Sequence, residues 1–358
     1  MAQIVLGIGT SHTPVLALPP EKWATYAKGD RKNPELVFPP NGWVMSFEEG
    51  VRHTTPEIRN KPHDLETFRR QSESCQSAID VLADTLRSAK PDITVIISDD
   101  QDEWFFENNM PMFSVYWGET VPWLPRKAPP FDDEEMARMI VAGYGDVARD
   151  VPVASAFGRF LIEYLVDHEF DVAHFNYVPE ESGGLVARRY PTETGEIDSV
   201  RDTPPRKQGI PHGFGFVLKR LFRDEPGPIL PVFQNTCYPP NSPTPRRCVD
   251  LGHALGKAID EWDQDARVAV IASGGLSHFV VDEEIDRTIL GALERKDLDT
   301  LRSLPRHRLY SATSESLNWV TLGGVLQGTQ LEMELVAYVP GYRTEAGTGG
   351  GWAFARWQ

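Results

Sequence analysis

The sequence predicts an α/β protein, a single-domain sandwich over residues 1–358 with a central mixed sheet flanked by helices. Two observations predict it. Short apolar runs such as Val268 to Ala272 (VAVIA) and Asp92 to Ser98 (DITVIIS) are too brief for helices and read as buried strands. They alternate with longer segments whose apolar residues recur at helical spacing, the pattern of a sheet covered by helices. No internal repeat and no linker-like stretch divides the chain.

Taken in order, Gln3 to Ile8 is the first strand, followed by the turn Gly7-Ile8-Gly9-Thr10-Ser11-His12-Thr13-Pro14. Residues 15–64 are rich in Pro, Asn and Trp, which predicts irregular or short-helical structure laid over the sheet. Residues 65–88 place Ala78, Val81, Leu82 and Leu86 at helical spacing and predict a helix, stopped by Pro91. The strand at 92–98 ends in Asp99-Asp100-Gln101-Asp102-Glu103. The aromatic cluster at 104–123 reads as core, with a strand at 113–117. Helices are predicted near 133–147 and 155–167, and a strand at 171–176. Residues 179–209 are polar and rich in Gly, Arg, Pro and Thr, a long surface excursion of the kind that forms lids. A short helix from Pro211 through Leu221, a strand at 229–235 and a helix at 246–262 lead to the strand 268–272. Helices at 282–296, 297–303 and 314–326 and an alternating strand at 332–339 complete the fold, with 347–352 a flexible glycine tail by composition.

Bulk properties exclude several functions. A net charge of −16 without a compensating basic stretch argues against nucleic-acid binding. No apolar run approaches 18 residues, so no membrane span is expected. The opening MAQIVLGIGTSH lacks a basic n-region and is not expected to be a signal peptide. Three cysteines form no CxxC pair and no disulfide framework, so a reducing cytoplasm is the expected location.

Chemistry-bearing groups gather at predicted strand ends. His12 follows the first strand, Asp99 to Asp102 the second, and His278 the Ser273-Gly274-Gly275 turn after a late one; His212 and Glu315 stand at helix starts. The crevice beyond the carboxyl ends of strands is where open α/β sheets bind ligands. Imidazole and carboxylate together suit Fe(II), Mn(II) or Zn(II). No compact spacing motif such as HExxH is present.

The chain resembles the class III extradiol ring-cleaving dioxygenases, the superfamily of the protocatechuate 4,5-dioxygenase catalytic subunit. It is most similar to the single-chain branch that includes 3-O-methylgallate dioxygenase. The residues carrying the resemblance are IVLGIGTSHTP (4–14), PDITVIISDDQDEWF (91–105), NNMP (108–111), IPHGFGFV (210–217), NTCYPPNSPTPRRC (235–248), ASGGLSHF (272–279), SATSESLNW (311–319) and GTGGGWAFA (347–355). The resemblance implies meta cleavage of a catechol- or gallate-type ring by O2, with Fe(II) as metal and Mn(II) or Zn(II) as alternatives, often in a homo-oligomer. It implies His12 and Glu315 as metal ligands, His278 as acid/base, and His212 as a histidine that hydrogen-bonds substrate or the oxygen intermediate. Asn318, one helical turn beyond Glu315, is a lesser candidate for that ligand position and is otherwise expected beside the substrate.

One departure stands out. The family's second histidine ligand belongs just after the second strand, where this chain has Gln101-Asp102. Either Asp102 ligates, or His53 arrives from elsewhere, or the iron site is lost. A carboxylate in place of imidazole adds negative charge and harder ligand character. Gln101 and His53 are otherwise expected beside the substrate. Two rival readings follow from the same departure: a metal-dependent hydrolase or lyase on a small aromatic or keto acid, and a non-catalytic binding protein.

Overall fold

The computed structural model describes residues 1–127 and 133–358. Its strands in chain order are β1 (Gln3–Thr10), β2 (Val37–Phe38), β3 (Trp43–Val44), β4 (Ile93–Asp99) and β5 (Phe113–Tyr116). There follow β6 (Thr120–Trp123), β7 (Arg149–Pro152), β8 (Ala173–Phe175), β9 (Ser182–Thr192) and β10 (Gly195–Arg206). The last are β11 (Ile229–Gln234), β12 (Arg267–Ser273), β13 (His278–Val280), β14 (Met333–Tyr342) and β15 (Thr348–Trp357). Nine of them make one mixed sheet in the order β13-β15-β1-β12-β4-β11-β5-β8, with β14 on the other edge of β15. β1, β12, β4 and β11 run parallel to one another, whereas β15 is antiparallel to β1, β13 and β14.

The parallel centre is buried on both faces, which is why its strands read as unbroken apolar runs. Val268 to Ala272 of β12 have no exposed surface. Burial of each large aliphatic side chain there is worth roughly 1.5–3 kcal/mol. The helix Leu65–Ala89 starts where Asp64 accepts from the Thr67 amide at 2.8 Å, and it ends at Lys90 in the left-handed region (φ 46°). Its buried stripe runs through Phe68, Cys75, Ala78, Ile79, Leu82 and Leu86; Val81, expected on that stripe, is exposed. The helix Ser316–Leu326 is buried almost all round. It lies against β1, where Gly7 and Gly9 leave room for Leu326 and Trp319. Among the described residues no helix is long and apolar enough to cross a membrane.

Two segments differ from expectation. The excursion after 179 is ordered as a long β9–β10 hairpin rather than an irregular loop, with Ser182, Val186, Arg188 and Tyr190 turned inward and buried. The glycine-rich stretch 347–352 is not a flexible tail. It begins β15, whose ten residues are almost wholly buried. β15 pairs along one edge with β14 and shares its other edge between β1, at Phe354–Trp357, and β13, at Thr348–Gly350. Between these two partners the Ser11 amide donates to the Ala353 carbonyl (3.0 Å) and the Gly351 amide to the Ser277 carbonyl (2.8 Å). One strand therefore sets the relative position of the loops that carry His12 and His278. Composition misled because glycine here serves close packing: a Cβ on Gly351 would overlap the Asp286 carboxylate.

Candidate active site

Loops leaving the carboxyl ends of β1, β4 and β12 contribute to the lining of a cleft of about 320 Å³. The volume is at the lower end of the range for small-molecule sites. His12, Gln101, His212, His278 and Glu315 line it, together with Tyr26, Arg126, Lys127, Tyr144, Arg201 and Arg343.

His12 follows β1 and is 2% exposed. Its Nδ1 lies 2.9 Å from the Ser273 hydroxyl, and that hydroxyl donates its single proton to the Gly213 carbonyl at 2.7 Å. Ser273 Oγ can then only accept, so His12 carries its proton on Nδ1 and presents a lone pair at Nε2. Burial drives the pKa of His12 down to about 3, against the pull of Glu315, so the ring is neutral. Nε2 is buried without a hydrogen-bond partner and faces Glu315 Oε2 at 3.4 Å.

Glu315 ends the turn Ser311–Glu315 that leads into the helix Ser316–Leu326. Its Oε2 accepts from the Gly275 amide (2.8 Å), and its Oε1 accepts from Gln101 Nε2 (2.7 Å) and lies 3.2 Å from His278 Nε2. Burial opposes ionisation, but His278 holds its carboxyl well below the usual carboxylate range. A neutral imidazole lone pair and an anionic oxygen thus confront each other in a buried space. That arrangement repels unless a cation sits between them, and imidazole nitrogen with carboxylate oxygen is a donor set for first-row divalent metals. The residues fit the metal that the resemblance implies.

His278 opens β13. Its backbone is pinned by Thr313, whose hydroxyl accepts from the His278 amide (3.0 Å) and donates to its carbonyl (2.7 Å). Nδ1 lies 3.0 Å from the Leu276 carbonyl, an acceptor, so Nδ1 keeps a proton and Nε2 is the exchanging atom. Burial disfavours the charged ring, yet Glu315 outweighs it and raises the pKa of His278 above its ordinary value.

His212 starts the short helix His212–Phe216, its ring edge-on to His12 with centroids 4.7 Å apart. Gly213 permits this approach, since a Cβ there would overlap Ser98 Oγ and press on the His12 ring. Glu103 receives His212 Nδ1 at 2.6 Å and the His212 amide at 3.2 Å, and Arg126 holds the other carboxylate oxygen at 3.1 Å. Burial works against the anion at Glu103, but Arg126 and His212 bring its pKa down to about 2. Ligating atoms of His12, His212 and Glu315 all lie within 4.8 Å of one another.

The model of the catalytic LigB subunit of aromatic ring-opening dioxygenase matches residues 192–347 of this chain. That span includes His212, His278 and Glu315. A 2,3-dihydroxyphenylpropionate/2,3-dihydroxicinnamic acid 1,2-dioxygenase of Comamonas testosteroni is 26% identical over 209 residues, 57% of this chain and 49% of that protein. Gallate dioxygenase of Pseudomonas putida is 31% identical over 149 residues, 40% of this chain and 35% of that protein. These matches support a likeness to the class III extradiol ring-cleaving dioxygenase superfamily. The chain spans about half, or less, of the length of these curated relatives. Both are named as dioxygenases, which does not favour the hydrolase or lyase reading.

At the position expected to supply the second ligand, the structure corrects two expectations. Asp102, a candidate ligand, faces away from Glu315. It takes a left-handed backbone (φ 57°), and its carboxylate is paired with Arg188 at 2.8 Å and with Arg201, both on the β9–β10 hairpin. His53 is exposed, bonds the Pro39 carbonyl at 3.1 Å and lines a different groove near Arg31 and Glu193. Asn318 is fully buried behind the cleft wall. It donates to Asp99 and to the Ser273 carbonyl, both at 3.0 Å, and accepts from Gln234 at 2.8 Å. It braces the site instead of facing a substrate. Asp100 caps the next turn by accepting from the Glu103 and Trp104 amides (3.0 and 2.7 Å). Gln101 does reach the cleft, as expected. Tyr144, whose hydroxyl donates to the His12 carbonyl at 2.8 Å, and Arg126 carried no signal in the sequence, because each sits in a stretch without a motif. Glu103 stood only as the last of an acidic run; a partner 109 residues away gives it its role.

Proposed function

We propose that this chain is a metal-dependent extradiol dioxygenase that opens a catechol- or gallate-type ring with O2, with Fe(II) as the resident metal. The observation that carries the reading is the buried confrontation of the His12 Nε2 lone pair with the Glu315 carboxylate, 3.2 Å from which stands His278 at the cleft. The likeness to named ring-opening dioxygenases supports the reaction class. Held by His12 and Glu315, Fe(II) would supply Lewis acidity and open positions for the two adjacent hydroxyls and for O2.

The chain's own residues do the rest. A diol that chelates must lose a proton, and His278 Nε2 is the group placed to take it and to return it as the ring opens. The Leu276 carbonyl on Nδ1 and Thr313 on the backbone keep that nitrogen aimed at the cleft. The buried Tyr144 ring and the half-buried Phe279 form apolar wall beside the reacting face. Four cationic side chains line the cleft, of which Arg126, Arg201 and Arg343 are committed to Glu103, Asp102 and Asp30. Lys127 makes no ion pair among the described residues, and we place a substrate carboxylate beside it. The names of the two relatives, gallate and 2,3-dihydroxyphenylpropionate, describe carboxylated vicinal diols. Three unpaired, buried cysteines suit a reducing compartment.

The test is to load the protein with Fe(II) under nitrogen and then admit O2 with a panel of catechols and gallates. O2 uptake with a yellow ring-opened product is expected for at least one carboxylated diol. No uptake with any member of the panel by a protein that has bound iron refutes the reading.

A further inference from the structure

We infer that His212, oriented by Glu103, is the second imidazole ligand of the metal and takes over from the histidine that position 101 lacks. The inference uses from the proposed function only that a divalent metal occupies the cleft, not that it activates O2.

Gln101 Nε2 is 2.7 Å from Glu315 Oε1 and 3.0 Å from Asp99 Oδ2. Both neighbours are carboxylate oxygens, so the amide turns its NH2 toward them and has only its neutral carbonyl oxygen to offer a metal, not an imidazole nitrogen. Gln101 therefore fixes the carboxylate and cannot replace the missing histidine in kind. Asp102 is held by Arg188 and Arg201, and His53 lies in another groove.

His212 has what a ligand needs. A metal-bound histidine nearly always donates its second ring nitrogen to a carboxylate or carbonyl, which sets the tautomer and raises basicity. His212 Nδ1 makes that bond to Glu103, itself anchored by Arg126, and His12 Nδ1 makes the equivalent bond to Ser273. Nε2 is the atom each ring has left to offer. All three side chains are buried, and their ligating atoms fall within 4.8 Å of one another. Donors sharing one ion at about 2.0–2.2 Å stand roughly 3.0–3.4 Å apart, so closure by about 1.4 Å or less completes the set. Two neutral imidazoles and one carboxylate leave a divalent ion with a net positive charge, which favours an anionic diol. An Asp102 ligand would have cancelled it. The chain thereby recovers a two-histidine, one-carboxylate donor set with open positions from a different loop.

A second group, Asp99, Cys237 and Glu315, is also within ligating distance and offers a thiol instead of an imidazole. The two sets are told apart without turnover. The full-length protein is loaded with Cu(II) or Co(II) under nitrogen, with no substrate, using ¹⁵N-histidine-labelled material. Electron paramagnetic resonance of the Cu(II) form is expected to show two coupled imidazole nitrogens in wild type and in Gln101→Ala, and one in His12→Ala or His212→Ala. Co(II) affinity is expected to fall more than about 100-fold in His212→Ala and about 10–100-fold in Glu103→Gln, which loses only the orienting anion. A single imidazole nitrogen in wild type, two retained in His212→Ala, or a sulfur-to-metal charge-transfer band each overturns the assignment. If His212→Ala does not fold, the His278→Gln spectrum decides the matter: two coupled imidazole nitrogens retained there assign the second ligand to His212, and one overturns the assignment. Metal bound by two histidines in a protein that fails the O2 assay sinks the proposed function and leaves this inference standing.

Discussion

Replacing Asp102 by Asn separates a structural carboxylate from a metal ligand. Its partner Arg188 is 1% exposed and Asp102 2%. A buried pair of this kind need not stabilise the fold in itself, but removing one member leaves a buried charge unmatched at a cost of about 3–5 kcal/mol. Three features reduce that figure here. Arg188 keeps Glu107 as an ion-pair partner and lies over the Tyr238 ring at 3.6 Å, and Asn retains one acceptor oxygen. Arg201 is 58% exposed, so its share is screened and small. The net expectation is a loss of about 2–3 kcal/mol. For a chain of this length each kcal/mol moves Tm by roughly 1.5 °C, hence a fall of about 3–5 °C. The assay pairs a thermal melt by circular dichroism with metal stoichiometry after anaerobic loading. Asp102→Asn should melt earlier and bind metal as wild type does. An unchanged melt with metal lost would refute the reasoning and restore Asp102 as a ligand.

Further outcomes are expected at other positions. His278→Gln should keep its metal while kcat falls by about 10²–10⁴, the usual worth of a positioned acid/base; loss of bound metal in that variant would make His278 a ligand instead. Lys127→Gln should raise KM for carboxylated diols by roughly 3–10-fold, about 1 kcal/mol for one exposed charge pair, and leave uncharged catechols unaffected; equal effects on both would remove Lys127 from carboxylate recognition. Gly351→Ala should lower the melting temperature and the metal content together, because the added Cβ overlaps Asp286 and displaces the strand joining the His12 and His278 loops. Wild-type behaviour on both measures would show that β15 does not set the site. Cys75 and Cys248, whose thiols burial pushes up to about 12, should resist iodoacetamide at pH 8 until the protein unfolds; modification of the native protein would contradict their packing.

Local pattern was enough for much of this molecule. The apolar runs at β4 and β12 and the helical spacing at 65–89 are statements about which faces each segment must bury, and burial obeys the same rule whatever lies on the other side. His12, Glu315 and His278, which line one cleft, could be singled out as candidates because each follows a strand end or opens a helix beside a recognisable motif. What sequence could not determine was pairing at a distance. The glycines at 347–351 look flexible until Gly341, Ser277 and Asp286 press against them, and only then is their lack of a side chain a packing requirement. Asp102 and Gln101 are adjacent in the chain, yet the backbone turn at Asp102 sends one carboxylate to two arginines on the hairpin and leaves the amide facing Glu315. No spacing rule links Glu103 to His212, or Ser273 to His12, because those bonds are made between loops that only the sheet brings together. The sequence by itself determined the sheet, its helices and the residue types available for chemistry. The tertiary structure decided which nitrogen of each histidine carries its proton, and so which atoms remain to meet a metal: that depends on which acceptor lies within 3 Å of each ring, a matter of long-range packing.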